Sequence, residues 1–474
     1  MRAALDRDRH HLAELAAAQY PPELRVAGTP LLAPPAWRPP APVPLDAIRL
    51  AFRADAPPPD APDLADLAPG LLPERPDGTR YRRYSEVTGA LAAPAIFENR
   101  PTYRLIEAGL AGPAAPHLAF GRGRFFDGAD ATGAAGHEYA AARLGRLPGC
   151  RFRDALGGPV NLASRSATMA TSALTLRHDR SSGSATFPLH YREPGRVSHA
   201  GGMYQVIPVG VFQPAGEARW NEANDFSLWR GLLREYAEEL LGADEDHGSE
   251  RAPIDYQSWP LASAMTGALA DGRIRAWCLG LGADPLTFAV DLLAVVVIDA
   301  PLYDDLFGAM VESNAEGRVI KPRPFDDQSV AGLLSGTPLQ AAAAALLTLA
   351  LRHRGTLLAP LRHLSPAISL RLPAIGGLTA ASISNLNRHA AECEASARPP
   401  RAEALSSATS PARAIPQGGG APRQAWCPCR APGIPRWCQE AGRRPSTPRR
   451  CTASRTAPGL SPCCRPRRGT GSRR

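Results

Sequence analysis

The chain has 474 residues, is 44% hydrophobic and carries a formal net charge of +9. That length allows two or three domains, and that apolar content a sizeable core. The charge is uneven: residues 401–474 hold fifteen arginines, no lysine and two glutamates, a net +13, so residues 1–400 stand at −4. The main body therefore has no charge-based reason to bind nucleic acid or a membrane surface.

Cys150, Cys278 and Cys393 are scattered through the body, and three isolated cysteines make no disulfide framework. Asp6, Asp8 and Glu14 interrupt the first twenty residues, so a signal peptide is not expected. The longest apolar run, Leu292–Ile298, is far short of a membrane span. These features point to a reducing, cytoplasmic setting. Lys321 is the only lysine, the usage of a GC-rich genome, so single arginines carry less information than usual.

In chain order, an amphipathic helix is expected around Arg7–Gln19. Pro-rich stretches at 34–44 and 56–62 favour extended chain and exclude long helices. Residues 1 to about 100 read as an irregular extension on the body, with order renewed at Phe97, Tyr103 and Leu105. Short helical and strand-like pieces alternate over 101–160, including a helix at His137–Leu144. Ser172–His178 and Ala185–Glu193 flank the polar turn Asp179–Ser184 and predict a β-hairpin. Tyr204–Phe212 is a further strand-like run, broken by Pro208 and Gly210.

Ser227–Leu241 places Leu228, Leu232, Tyr236 and Leu240 four residues apart, with Gly242 to end the helix. Arg273–Leu279 and Ala289–Ile298 predict strands, the second fully buried. Leu339–His353 predicts an Ala- and Leu-rich helix closing on basic residues. This order suggests an α/β or α+β sandwich. Gly280-x-Gly282 and Gly121-x-Gly123 read as turns, and His10, His11, His137 and His190 lack metal-ligand spacing. A helical segment over 366–400 and a disordered tail over 401–474 follow from composition. The shift after about Gly418 is abrupt enough to suggest an out-of-frame end. The spacing of the terminal cysteines argues against a zinc site.

The chemistry concentrates on the helix at 227–241. Arg234, Glu235, Glu238 and Glu239 lie there, and positions i, i+3 and i+4 share one face, so three carboxylates crowd within one turn. Such crowding is costly unless cations neutralise it; hard divalent ions take oxygen ligands, and Arg234 is able to tether one carboxylate. A solvated acidic face is the plainer alternative.

Arg234-Glu235-Tyr236-Ala237-Glu238-Glu239 resembles the helical half of the signature of the Nudix hydrolase family, with Tyr236 at an aliphatic position and Gly242 one residue late. Upstream, Pro208-Val209-Gly210 and Gly216-Glu217 resemble its loop half, with six residues between Gly210 and Glu217 and sixteen between Glu217 and Arg234. An insertion at Ala218–Asp225 accounts for the spacing, and Asp225 is a candidate to replace Glu217.

The resemblance implies a Nudix-type α-β-α sandwich with a mixed sheet over about 161–365. It implies hydrolysis of a nucleoside diphosphate linked to another moiety, dependent on Mg²⁺ or Mn²⁺. Glu235, Glu238 and Glu239 would be metal ligands, with Glu238, Glu239 and Arg234 in the catalytic machinery and Gly210 shaping the loop that meets the nucleotide. Glu312 and Glu316 are candidates for a later carboxylate. The alternative is a nucleotide-sensing regulator of the same fold without turnover. The expected partner is a nucleotide-like small molecule, not a membrane, and a homodimer is left open.

Overall fold

The computed structural model describes residues 2–359 apart from 95–96, 195, 197–199, 244–246, 309 and 315–316. The expectations for 366–400 and 401–474 lie outside the described residues.

The first hundred residues contribute helix α1 (Arg2–Ala17), strands β1 (Val43–Pro44) and β2 (Arg49–Phe52), and helices α2 (Leu64–Leu67) and α3 (Tyr84–Leu91). They are followed by β3 (Pro101–Gly109), β4 (His117–Arg124), α4 (Phe125–Arg143) and α5 (Arg151–Ala155). The predicted hairpin is β5 (Ala167–Asp179) and β6 (Ser184–Arg192), and the broken run becomes β7 (Tyr204–Gln205) and β8 (Val209–Val211). Helices α6 (Arg219–Asn224), α7 (Leu228–Leu241) and α8 (Pro260–Ala270) lead to β9 (Ile274–Ala283) and β10 (Val290–Asp299). Then come α9 (Ala300–Phe307), β11 (Gly317–Pro324), α10 (Asp327–Gly336), α11 (Ala341–Arg352) and α12 (Arg354–Leu358).

The eleven strands of the described residues join one curled, mixed sheet whose spine runs β1-β9-β10-β5-β3-β4-β2. β8 pairs with β5, and β6 pairs with β5, β7 and β11. β10 and β5 run parallel over ten residue pairs, which explains why β10 reads as a continuous apolar run: Leu292 through Ile298 are all fully buried. Each of its larger aliphatic side chains contributes about 1.5–3 kcal/mol by leaving water.

Alternation along β5 assigns its residues to two faces. Thr175 hydrogen-bonds the hydroxyl of Tyr236 on α7, so odd-numbered residues face α7. Thr168 lies directly against Gly128 of α4, so even-numbered residues face α4. The protein is thus a mixed α/β fold with helices on both faces of the sheet.

Two sequence expectations need correction. The Pro-rich N-terminal segment is no mere extension, because it is woven into the core. Leu31, Leu32 and Ala33 are fully buried, Leu32 exchanges backbone hydrogen bonds with Ala283 at 3.0 and 2.7 Å, and β1 pairs with β9. Its strands are too short to leave an alternating pattern, and their partners lie 68 residues away (Arg49 with His117) and 235 residues away (Val43 with Cys278). The two glycine pairs read as turns lie inside β9 and β4. Gly280 sits at a bulge opposite Leu293/Ala294 with φ 145° and the carbonyl of Trp37 pressed against it, and a side chain at Gly282 would overlap Leu31. Both glycines admit the N-terminal segment to the sheet.

Candidate functional site

Helix α7 begins where the Ser227 hydroxyl accepts the Arg230 N–H and ends where Gly242 turns left-handed at φ 71°, its N–H capping the carbonyls of Ala237 and Glu238. Leu228, Leu232, Tyr236 and Leu240 are buried, as the spacing predicts, and Leu233 is buried beside them. Tyr236 departs from an aliphatic pattern for a visible reason: its hydroxyl lies 2.7 Å from Thr175 Oγ1 and its ring stacks on Phe307. Burial pushes that hydroxyl's ionisation far above the ordinary tyrosine range.

Arg234 is 3% exposed. Its Nη1 lies 3.3 Å from Asp225 Oδ2 and donates to Tyr256 Oη at 3.1 Å, while Nη2 donates to the Gln213 carbonyl at 2.6 Å. Tyr256 in turn donates to Asp225 Oδ1 at 2.8 Å, and the Ala215 N–H donates to Oδ2 at 2.8 Å. Asp225, fully buried, thus closes a network with Arg234, whereas exposed Glu217 pairs with Arg124 at 2.6 Å. Between Glu217 and Asp225 the chain folds as α6. Arg234 fixes the loop on which the helix is seated.

The three glutamates have different surroundings. Glu235 is half-buried against Gly210 of β8, where any Cβ would overlap its carboxylate. Glu238, also half-buried, lies 3.0 Å from Nε2 of His247, whose ring packs on Trp259. Glu239 is buried, accepts the Val209 N–H at 3.2 Å and stands 4.0 Å from Nδ1 of His190, which is buried on β6. Glu312 is exposed on a loop that reaches α7, where Val311 N–H meets the Leu240 carbonyl and Asn314 that of Glu239. Glu316 lies outside the described residues.

Sequence reading overlooked His247 and set His190 aside because it lacks metal-ligand spacing. Neither has a motif around it, and each reaches its glutamate only through the fold. Among the described residues no group of three or more His, Cys, Asp or Glu side chains is placed to hold a metal ion. Mg²⁺, however, is commonly held by one or two carboxylates completed by water and substrate phosphate, so the half-buried Glu235 and Glu238, at i and i+3, form a chemically suitable donor pair. No described helix is long and apolar enough to cross a membrane. No family model matches the chain, and no curated protein matches it either.

Proposed function

We propose that this chain is a Nudix-type α-β-α sandwich that hydrolyses a nucleoside diphosphate linked to another moiety, with Mg²⁺ or Mn²⁺ as cofactor. The observation that carries this reading is the half-buried Glu235 and Glu238 pair on a helix locked in place by the buried Arg234, Asp225 and Tyr256 network. Glu235 and Glu238 would hold the metal, which when bound would neutralise phosphoryl oxygens and activate water. Arg234 holds the helix to the Gln213–Asp225 loop, Gly210 leaves room for the Glu235 carboxylate, and His247 is placed to hold a proton beside Glu238.

One observation favours a second reading, nucleotide sensing without turnover: His247 and His190 stand beside two of the three glutamates. The test is phosphate or monophosphate release from a panel of nucleoside diphosphate derivatives with Mg²⁺ or Mn²⁺. Loss of a metal ligand removes several kcal/mol of transition-state stabilisation, so Glu235→Gln and Glu238→Gln should each lower kcat/KM roughly 100-fold or more. Tight nucleotide binding with no turnover by the wild-type chain would instead establish the sensor.

A further inference from the structure

On the α4 face of the sheet, a cleft of about 610 Å³ opens between the segment 56–64 and the surface of β4 and α4. Its volume suits a small organic molecule. One wall is apolar, with Pro58, Pro62, Leu64, Phe152 and Leu156; the other presents Arg104, Arg165, Ser166 and Gly123.

Four of the five arginines that line this cleft fall into two sets, and the fifth, Arg82, is exposed. Arg83 is neutralised by Asp127 and Asp130, both at 2.6 Å, and Arg122 by Glu222 at 2.7 Å. Arg104 and Arg165, only 4% and 1% exposed, pair with no carboxylate among the described residues. Arg104 donates from Nε to the Arg122 carbonyl at 3.4 Å and from Nη2 to that of Pro57 at 2.5 Å, leaving Nη1 unengaged. The η nitrogens of Arg165 are engaged by the carbonyls of Gly158, Pro159, Asn161 and Phe288, so it supplies charge to the cleft more than hydrogen bonds. The one lining carboxylate outside these ion pairs, Asp63, accepts the N–H groups of Ala65 and Asp66. Burial depresses the ionisation of both arginines, Arg165 to about 10.

A hydroxyl completes the polar wall. Ser166 is 4% exposed, and its Oγ has no hydrogen-bond partner among the described residues; Thr102 Oγ1 behind Gly123 is likewise buried without one. Both oxygens lie 3.1 Å from the point where a Cβ on Gly123 would stand, next to the Arg104 side chain. Two desolvated cations and a buried unmatched hydroxyl in one cleft are an expensive arrangement for an isolated protein, and an anion resolves it.

We propose that this cleft is a binding site for the anionic group, carboxylate or phosphate, of a small molecule with a compact apolar body. Nη1 of Arg104 and Oγ of Ser166 donate to the anion, Arg165 supplies field, and the proline-lined wall covers the body. The site lies on the face of the sheet opposite the α7 glutamates and does not depend on the proposed hydrolase.

Isothermal titration of the full chain with benzoate, phenyl phosphate, inorganic phosphate and neutral benzyl alcohol tests the proposal. Saturable binding of benzoate or phenyl phosphate is expected, with no binding of benzyl alcohol; the stronger of the two identifies the anion. Inorganic phosphate alone would bind at least tenfold more weakly for want of the apolar body. Arg104→Met should weaken binding at least tenfold, and the milder Ser166→Ala severalfold. Ser166→Asp, which brings its own carboxylate, should abolish binding while melting no lower than wild type. The proposal is overturned if none of the three anions binds, if benzyl alcohol binds as well as they do, or if Ser166→Ala and Ser166→Asp both bind like wild type.

Discussion

On the α7 face of the sheet the buried guanidinium of Arg234 meets the carboxylate of Asp225; on the α4 face Arg104 and Arg165, buried as deeply, meet carbonyl oxygens and, among the described residues, no carboxylate. The first arrangement is complete within the chain, and removing either partner strands a buried charge. The second is completed by carbonyl dipoles alone and leaves room for a further anion. Burial of an arginine thus says little by itself, and the identity of its partners separates a structural ion pair from a receptive site.

The largest effect that tests this contrast is expected on the α7 face. Asp225→Asn or Arg234→Met should destabilise the fold by about 3–5 kcal/mol, because the surviving charge stays buried. Denaturant titration measures it, and the double variant should recover much of the loss. A cost near 1 kcal/mol for both single variants would break the comparison.

Next comes Asp291 of β10, whose register partner Ala170 places it on the α4 face, where it accepts the Ser172 hydroxyl at 2.8 Å. Burial raises its pKa from the ordinary 3.8 to about 7. The folded state therefore holds an extra proton between about pH 4 and 7. The stabilisation is full below pH 4 and is lost as pH rises through 7, by about 2–4 kcal/mol. Thermal melts across that range should show wild type losing stability relative to Asp291→Asn as pH rises, and parallel curves would refute it.

Arg104→Met should cost only about 1 kcal/mol in the same denaturant assay, since two carbonyl contacts are lost while an unpaired charge leaves the interior. A cost equal to that of Arg234→Met would erase the distinction between the faces. Smallest of all is Gly210→Ala. The overlapping atoms belong to the end of a flexible side chain, so stability should change by less than about 1 kcal/mol. Displacement of the Glu235 carboxylate should nonetheless lower any metal-dependent turnover, as a kinetic comparison with wild type would show.

The sequence was most legible where structure is local. The β5–β6 hairpin and α7 announced themselves through alternation, four-residue spacing and the stops at Gly183 and Gly242. What stayed hidden depends on distant partners. Gly282 is explained by Leu31, Glu239 is approached by His190 from β6, and Arg104 became conspicuous only once every nearby carboxylate was seen to be engaged elsewhere. Asp225 lies between these cases: signature spacing drew notice to it, and its contact with Arg234 is visible only in the fold.

The pairing of Leu32 with Ala283 also bears on synthesis. The ribosome releases Leu31 to Trp37 roughly 250 residues before the strand that shelters them, which at about 5–20 residues per second is a delay of about 12–50 seconds. During that interval a nascent chain displays an apolar segment that has no place to dock. The proline spacing around it, which excludes long strands and helices, limits its capacity to pair with other chains until β9 emerges.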